Sequence, residues 1–215
     1  MPDLRPLLLL FLVVPLAGFG ARDHAAQCDD AARSAAAASD VPLDILLAIT
    51  RVETGRGTPL MPWPWTLNQG GDGAWLDTAD QALSAAQGIL DQGITNLDIG
   101  CFQLNHRWHS AAFASLDAMF DPSANAAYAA RFLSDLYRDT GDWPAAVAAY
   151  HSRTPEHAER YLARVETVMA DLTDTPQPVE VKSENTFPLL QAGARGAAGS
   201  LMPLQSTRRP LIGEP

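Results

Sequence analysis

Apolar residues recur at helical spacing through most of the first 172 residues, and the order is lost after them. Between Pro42 and Thr54, Leu46 and Ile49 share one helical face with Glu53, in the i, i+3, i+7 relation. Proline at a first helical position predicts that this helix starts at Pro42, and Gly55 and Gly57 close it. An earlier helix is predicted from Cys28 to Ala38, with acidic residues in its first turn and alanine beyond. Thr78-Ala-Asp-Gln81 reads as a capping box for a helix running through Leu90 to Gly93. Asp121-Pro122, Asp142-Trp-Pro144 and Thr154-Pro155 open three more, the last with Tyr161, Leu162, Val165, Val168, Met169 and Leu172 on one stripe. Between them, Trp65-Thr-Leu67 and Ala74-Trp-Leu76 flank Asn-Gln-Gly-Gly-Asp-Gly, which predicts a short β-hairpin, and Asn96–Ile99 reads as a brief extended piece. The class expected is α+β, mainly α: a helical domain over residues 22–172 with a small β-hairpin lobe.

The two ends differ from this pattern. Arg5 precedes the apolar run Leu7–Val14, and small residues follow to Ala21. Residues 1–21 are therefore expected to be a secretory signal peptide, which implies a periplasmic protein with no stable membrane span after cleavage; an uncleaved anchor is the other reading. Residues 173–215 mix proline, glycine and small polar residues without a period, so a disordered or extended tail is expected. Phe187–Leu190 and Ser200–Leu204 are apolar islands in it, candidate docking points for an envelope partner. The net charge of −10 argues against a nucleic-acid partner, which needs a basic face. Export permits a bridge between the two cysteines, Cys28 and Cys101; two buried free thiols are the alternative. No metal is expected, because nothing with ligand spacing clusters near either cysteine.

The chemistry centres on Glu53. A carboxylate on a buried helical stripe is costly unless paired, and burial raises its pKa into the range of a general acid. A helix-terminal glutamate turned out into solvent is the plainer reading. Three further stretches accompany Val52-Glu-Thr-Gly55: Asp98-Ile-Gly-Cys-Phe-Gln-Leu-Asn105, Ala148-Ala-Tyr-His-Ser152 and Arg160-Tyr-Leu-Ala-Arg-Val165. In this order they resemble the lytic transglycosylases with the soluble-type (SLT) catalytic domain, which have a lysozyme-like fold.

The resemblance implies cleavage of the β-1,4 bond between N-acetylmuramic acid and N-acetylglucosamine in peptidoglycan, leaving a 1,6-anhydro sugar. Glu53 matches the family's catalytic acid. Thr54 stands where serine is usual and keeps a hydroxyl for sugar or for Glu53. Gly100 is expected to let backbone approach the saccharide. Gln103 matches the cleft glutamine, with an amide that can donate and accept. Phe102 replaces an aliphatic residue beside it, and a Cys28–Cys101 bridge would staple the first helix to the site floor. Tyr150 matches the tyrosine placed near the acid, His151 stands where many relatives have asparagine, and Tyr161 matches a later cleft aromatic; core packing is the alternative for both tyrosines. Asp98 is expected to serve the backbone, although Asp72, Asp77 and Asp98 are each available as the second carboxylate of a hydrolase. The tryptophans between Glu53 and Asp98 either stack on sugar or fill the small lobe. His106, His109 and His157 have no motif support and are expected to be surface or core residues.

No phosphate-cradling loop, metalloprotease motif or calcium loop is present, so no cofactor is expected. The partners expected are glycan strands and, through residues 173–215, a flagellar or secretion machine. A hydrolytic muramidase on the same fold and a non-catalytic wall-binding assembly protein are the competing readings.

Overall fold

A computed structural model describes residues 19–174 of the chain, with side chains from 23 to 173. The expected signal peptide and tail, with its two apolar islands, lie outside these residues, save that Phe19–Ala21 and Thr173–Asp174 are helical. The architecture is mainly helical with one small antiparallel sheet, as the residue pattern predicts.

The helices are α1 (Phe19–Ala37), α2 (Leu43–Thr54), α3 (Ala79–Leu90), α4 (His106–His109), α5 (Leu116–Phe120), α6 (Pro122–Thr140), α7 (Trp143–His151) and α8 (Pro155–Asp174). Local chemistry fixes their ends. Thr78 Oγ1 accepts from Gln81 N at 3.2 Å while Gln81 Oε1 accepts from Asp77 N at 3.1 Å, a reciprocal cap shifted by one residue from the usual box. Asp121 and Asp142 cap α6 and α7, accepting from Ala124 N at 2.7 Å and Ala145 N at 3.0 Å. Pro42 proves to be the residue before α2 rather than its first turn. α1 starts nine residues earlier than its acidic turn suggests.

The sheet has the order β2-β1-β3-β4. Strands β1 (Thr66–Gln69) and β2 (Asp72–Trp75) form the expected hairpin, paired Thr66 to Trp75 and Gln69 to Asp72. Gly70 and Gly71 turn it with φ of 63° and 105°, values that residues with a side chain seldom reach. Strand β3 (Asp98–Ile99) pairs with β1 and with β4 (Leu104–Asn105).

One core joins helices and sheet. Leu46, Ile49, Leu97, Ile99, Phe102, Leu104, Leu133 and Val165 are fully buried in it. α1 packs on α2 and α6, and α2 packs on α8, so Glu53 ends a helix held from two sides. Cys28 and Cys101 form a disulfide with Cα atoms 5.7 Å apart. The next residue of α1, Asp29, pairs with Arg51 of α2 through two contacts of 2.8 and 3.0 Å. Among the described residues, no helix is long and apolar enough to cross a membrane.

Candidate active site

A cleft of about 320 Å³ opens between the end of α2, the sheet and the α6–α7 pair. Glu53 faces it from the penultimate position of α2, half-buried. Its Oε1 accepts from the Tyr161 hydroxyl at 2.6 Å. Burial pushes its pKa from 4.5 up to about 7; the Tyr161 bond opposes the rise, the Asp98 charge adds to it and Arg164 opposes it. Roughly half of such a group is protonated at neutral pH, the condition a general acid needs. With Oε1 engaged, Oε2 is left for a substrate proton.

Tyr161, buried on α8, thus holds the catalytic candidate, a role the sequence expectation gave to Tyr150. The Tyr150 hydroxyl donates instead to the Phe102 carbonyl at 2.7 Å and fixes the loop after β3. His151 lines the cleft and lies parallel to the Tyr161 ring, with centroids 4.5 Å apart and planes 3° from parallel. Burial of the imidazole, followed by the Arg164 and His157 charges, lowers its pKa.

Three expected substrate contacts have structural work instead. Thr54 is fully buried; its hydroxyl donates to Thr50 O at 2.9 Å and accepts from Trp63 N at 3.0 Å, tying α2 to the lobe. Phe102 is fully buried in the core. Gly100 is buried with φ of 78°, and a Cβ there would meet Asn125 Nδ2 at 2.8 Å, so the close approach is to Asn125 and not to sugar.

Asn125, fully buried on α6, organises this loop. Its Nδ2 donates to Ile99 O at 3.1 Å and Met119 O at 2.9 Å, and its Oδ1 accepts from Phe102 N at 2.9 Å. Gln103 follows with φ of 46°, a left-handed value uncommon for a residue with a side chain. Its Nε2 donates to Gly100 O at 3.0 Å and Thr66 O at 3.2 Å. Both amide hydrogens are therefore spent inside the protein, and Oε1 alone remains to accept from a ligand, half of the exchange expected of it.

Asp98 departs further from expectation. Its carboxyl faces the cleft and accepts from Asn105 Nδ2 at 2.7 Å, and burial raises its pKa against that bond. The insert tryptophans brace the lobe: Trp63 Nε1 donates to Leu76 O, Trp65 Nε1 to His24, and Trp75 Nε1 to Thr54 O at 3.0 Å, closing the end of α2. A tryptophan that does line the cleft is Trp108 of α4, 72% exposed, which no motif marked. His109, expected to have no role, also lines it and hydrogen-bonds the Tyr128 hydroxyl at 2.8 Å. Asn68 and Phe132 complete the lining missed in the sequence. Trp108 and His109 lie three and four residues after Asn105, and that closeness to the motif was the available signal.

No curated protein and no solved structure matches the chain. The family model of the Transglycosylase SLT domain matches residues 79–171. That stretch carries Asp98, Gln103, Tyr150, His151 and Tyr161 and begins after Glu53, which the fold itself brings to Tyr161. The match supports a lytic transglycosylase with the SLT domain, in the lysozyme-like superfamily.

Proposed function

We propose that the protein cleaves the MurNAc–GlcNAc β-1,4 bond of peptidoglycan without water, with Glu53 as acid and then base. Protonated Glu53 Oε2 gives its proton to the glycosidic oxygen as the bond from that oxygen to the muramyl C1 breaks. The resulting carboxylate takes the proton of the muramyl C6 hydroxyl, and the C6 oxygen bonds to C1, closing the 1,6-anhydro ring. The Tyr161 hydroxyl, 2.6 Å from Oε1, stabilises the carboxylate between the two transfers. Gln103 Oε1 offers an acceptor and Trp108 a stacking face for the sugars. The observation that carries the reading is the Glu53 carboxyl, its pKa pushed by burial to about 7, in a cleft that also holds Gln103, Tyr150 and His151 of the matched segment.

Asp98 favours a second reading, a hydrolase in which this carboxylate directs water. Mass spectrometry of sacculi digested in ¹⁸O-labelled water separates the two. Anhydro ends without label are expected; labelled reducing ends would establish hydrolysis. A substrate in the wall makes the site of action extracytoplasmic, and residues 1–21 as an export signal to the periplasm fit it. Recruitment to a flagellar or secretion machine through residues 173–215 is part of the same proposal. Recovery of no envelope component with that segment would refute the recruitment.

A further inference from the structure

A tyrosine hydroxyl lies on the axis that runs from Cβ through the ring, so turning the ring about that axis leaves the oxygen in place. Only a swing of the axis itself takes the hydroxyl off its partner. The Tyr161 hydroxyl reaches Glu53 Oε1 at 2.6 Å from α8, across a separation of 108 residues. A swing of about an ångström would end that bond. The contact lasts only if the swing is blocked on the side facing the cleft, where sugar and water enter.

His151 stands on that side. It is exposed and lines the cleft with Glu53, whereas Tyr161 is 3% exposed. The two rings are 4.5 Å apart between centroids and 3° from parallel, an offset stack of the kind aromatic pairs favour. The imidazole thus lies as a plate against one face of the tyrosine. Among the described residues, Tyr161 is the one aromatic ring that His151 meets. The plate is itself anchored. His151 is the last residue of α7, where Ser152 N donates to Ala148 O at 3.2 Å, and the hydroxyl of its neighbour Tyr150 donates to Phe102 O at 2.7 Å.

We propose that His151 is a positioning residue: its ring clamps Tyr161 so that the Tyr161 hydroxyl stays on Glu53 Oε1 and Oε2 faces the substrate. The inference rests on the proposed role of Glu53 as the acid. The imidazole acts on that acid through Tyr161. A flat aromatic ring suffices for this work, and an imidazole charge is not required.

A double-mutant cycle read by ¹³C NMR of the full chain tests the clamp. Glutamate carboxyls are labelled, and the Glu53 signal is identified by its absence from Glu53→Gln, so the titration midpoint of the acid is followed without turnover. Tyr161→Phe is expected to raise that midpoint by roughly one pH unit, the scale of one charge-assisted bond. The same replacement in a His151→Ala background is expected to leave it nearly unmoved, because the hydroxyl has already left Glu53. His151→Leu fills the space without a flat face and is expected to behave like His151→Ala. His151→Phe can still stack and is expected to restore the rise. Asp98 on β3, Tyr150 on α7, and Arg164 and His157 on α8 also act on Glu53 or His151. Each is unchanged throughout, so its effect, like that of added solvent at position 151, cancels in the cycle. A rise that persists in the alanine or leucine background overturns the clamp. So does a rise missing from the phenylalanine background, or from the chain with His151 in place. Sacculi left intact by wild-type enzyme, with the coupling of His151 to Tyr161 present, would refute the proposed reaction and leave the clamp standing. Digestion to anhydro ends without that coupling would do the reverse.

Discussion

The proton of Glu53 sets what the cleft can do. A positioned acid contributes roughly 10²–10⁴-fold to rate, so Glu53→Gln is expected to lower turnover of purified sacculi by at least that range, read by release of soluble muropeptides. Activity of the wild type is expected to fall as pH rises through about 7, where the acid form is lost. Tyr161→Phe removes a bond that favours the carboxylate, which raises the Glu53 pKa further. Its alkaline limb is therefore expected at higher pH than that of the wild type, alongside a lower maximum; an unmoved limb would remove Tyr161 from the tuning of the acid.

The same group ties stability to pH. The folded pKa lies above the unfolded value of 4.5, so between pH 4.5 and about 7 the unfolded chain releases a proton that the folded chain keeps. Stability then falls with rising pH, and the penalty is complete above about 7. Glu53→Gln is expected to be more stable relative to wild type at pH 8 than at pH 4, by at most about 3 kcal/mol and less because Glu53 still touches solvent. Paired urea titrations at the two pH values check the sign.

Among the elements, the loop from β3 to β4 does most to shape the site, and Asn125 holds it. Asn125→Ala removes three hydrogen bonds from a fully buried residue and orphans two carbonyls and an N–H. A loss of about 3 kcal/mol is expected in denaturant titration, with activity falling further than stability alone explains because Asp98 and Gln103 lose their setting.

This loop also shows what a sequence discloses. Helix ends and the hairpin were legible because capping residues, prolines and the Gly70–Gly71 pair act locally. Motif residues marked the region of the site, and Glu53 among them. Their roles were less legible, because they depend on direction. Thr54 and Phe102 point inward, Gln103 spends its donors on Gly100 and Thr66 carbonyls, and Tyr150 and Tyr161 divide their tasks by which hydroxyl reaches which acceptor, over separations of 48 and 108 residues. Trp108 and Asp98 face the cleft through sheet register and a four-residue helix, neither of which leaves a periodic trace.

At the scale of the whole molecule, the disulfide closes a loop across a separation of 73 residues. In the chain-entropy account such a loop is worth about 4 kcal/mol. Paired Cys28→Ser and Cys101→Ser replacement is expected to lower stability by up to that amount in chemical denaturation, with the larger share of the change in the unfolded chain.

Neighbouring residues of α1 reach in two directions: Cys28 to Cys101, two positions before Gln103, and Asp29 to Arg51, two positions before Glu53. The helix works as a caliper whose jaws are the acid and the glutamine, and the gap between them is set from outside the stretch that the family match covers. A fragment trimmed to residues 79–171 would keep most of the recognisable residues and lose the gauge, along with the acid that one jaw carries.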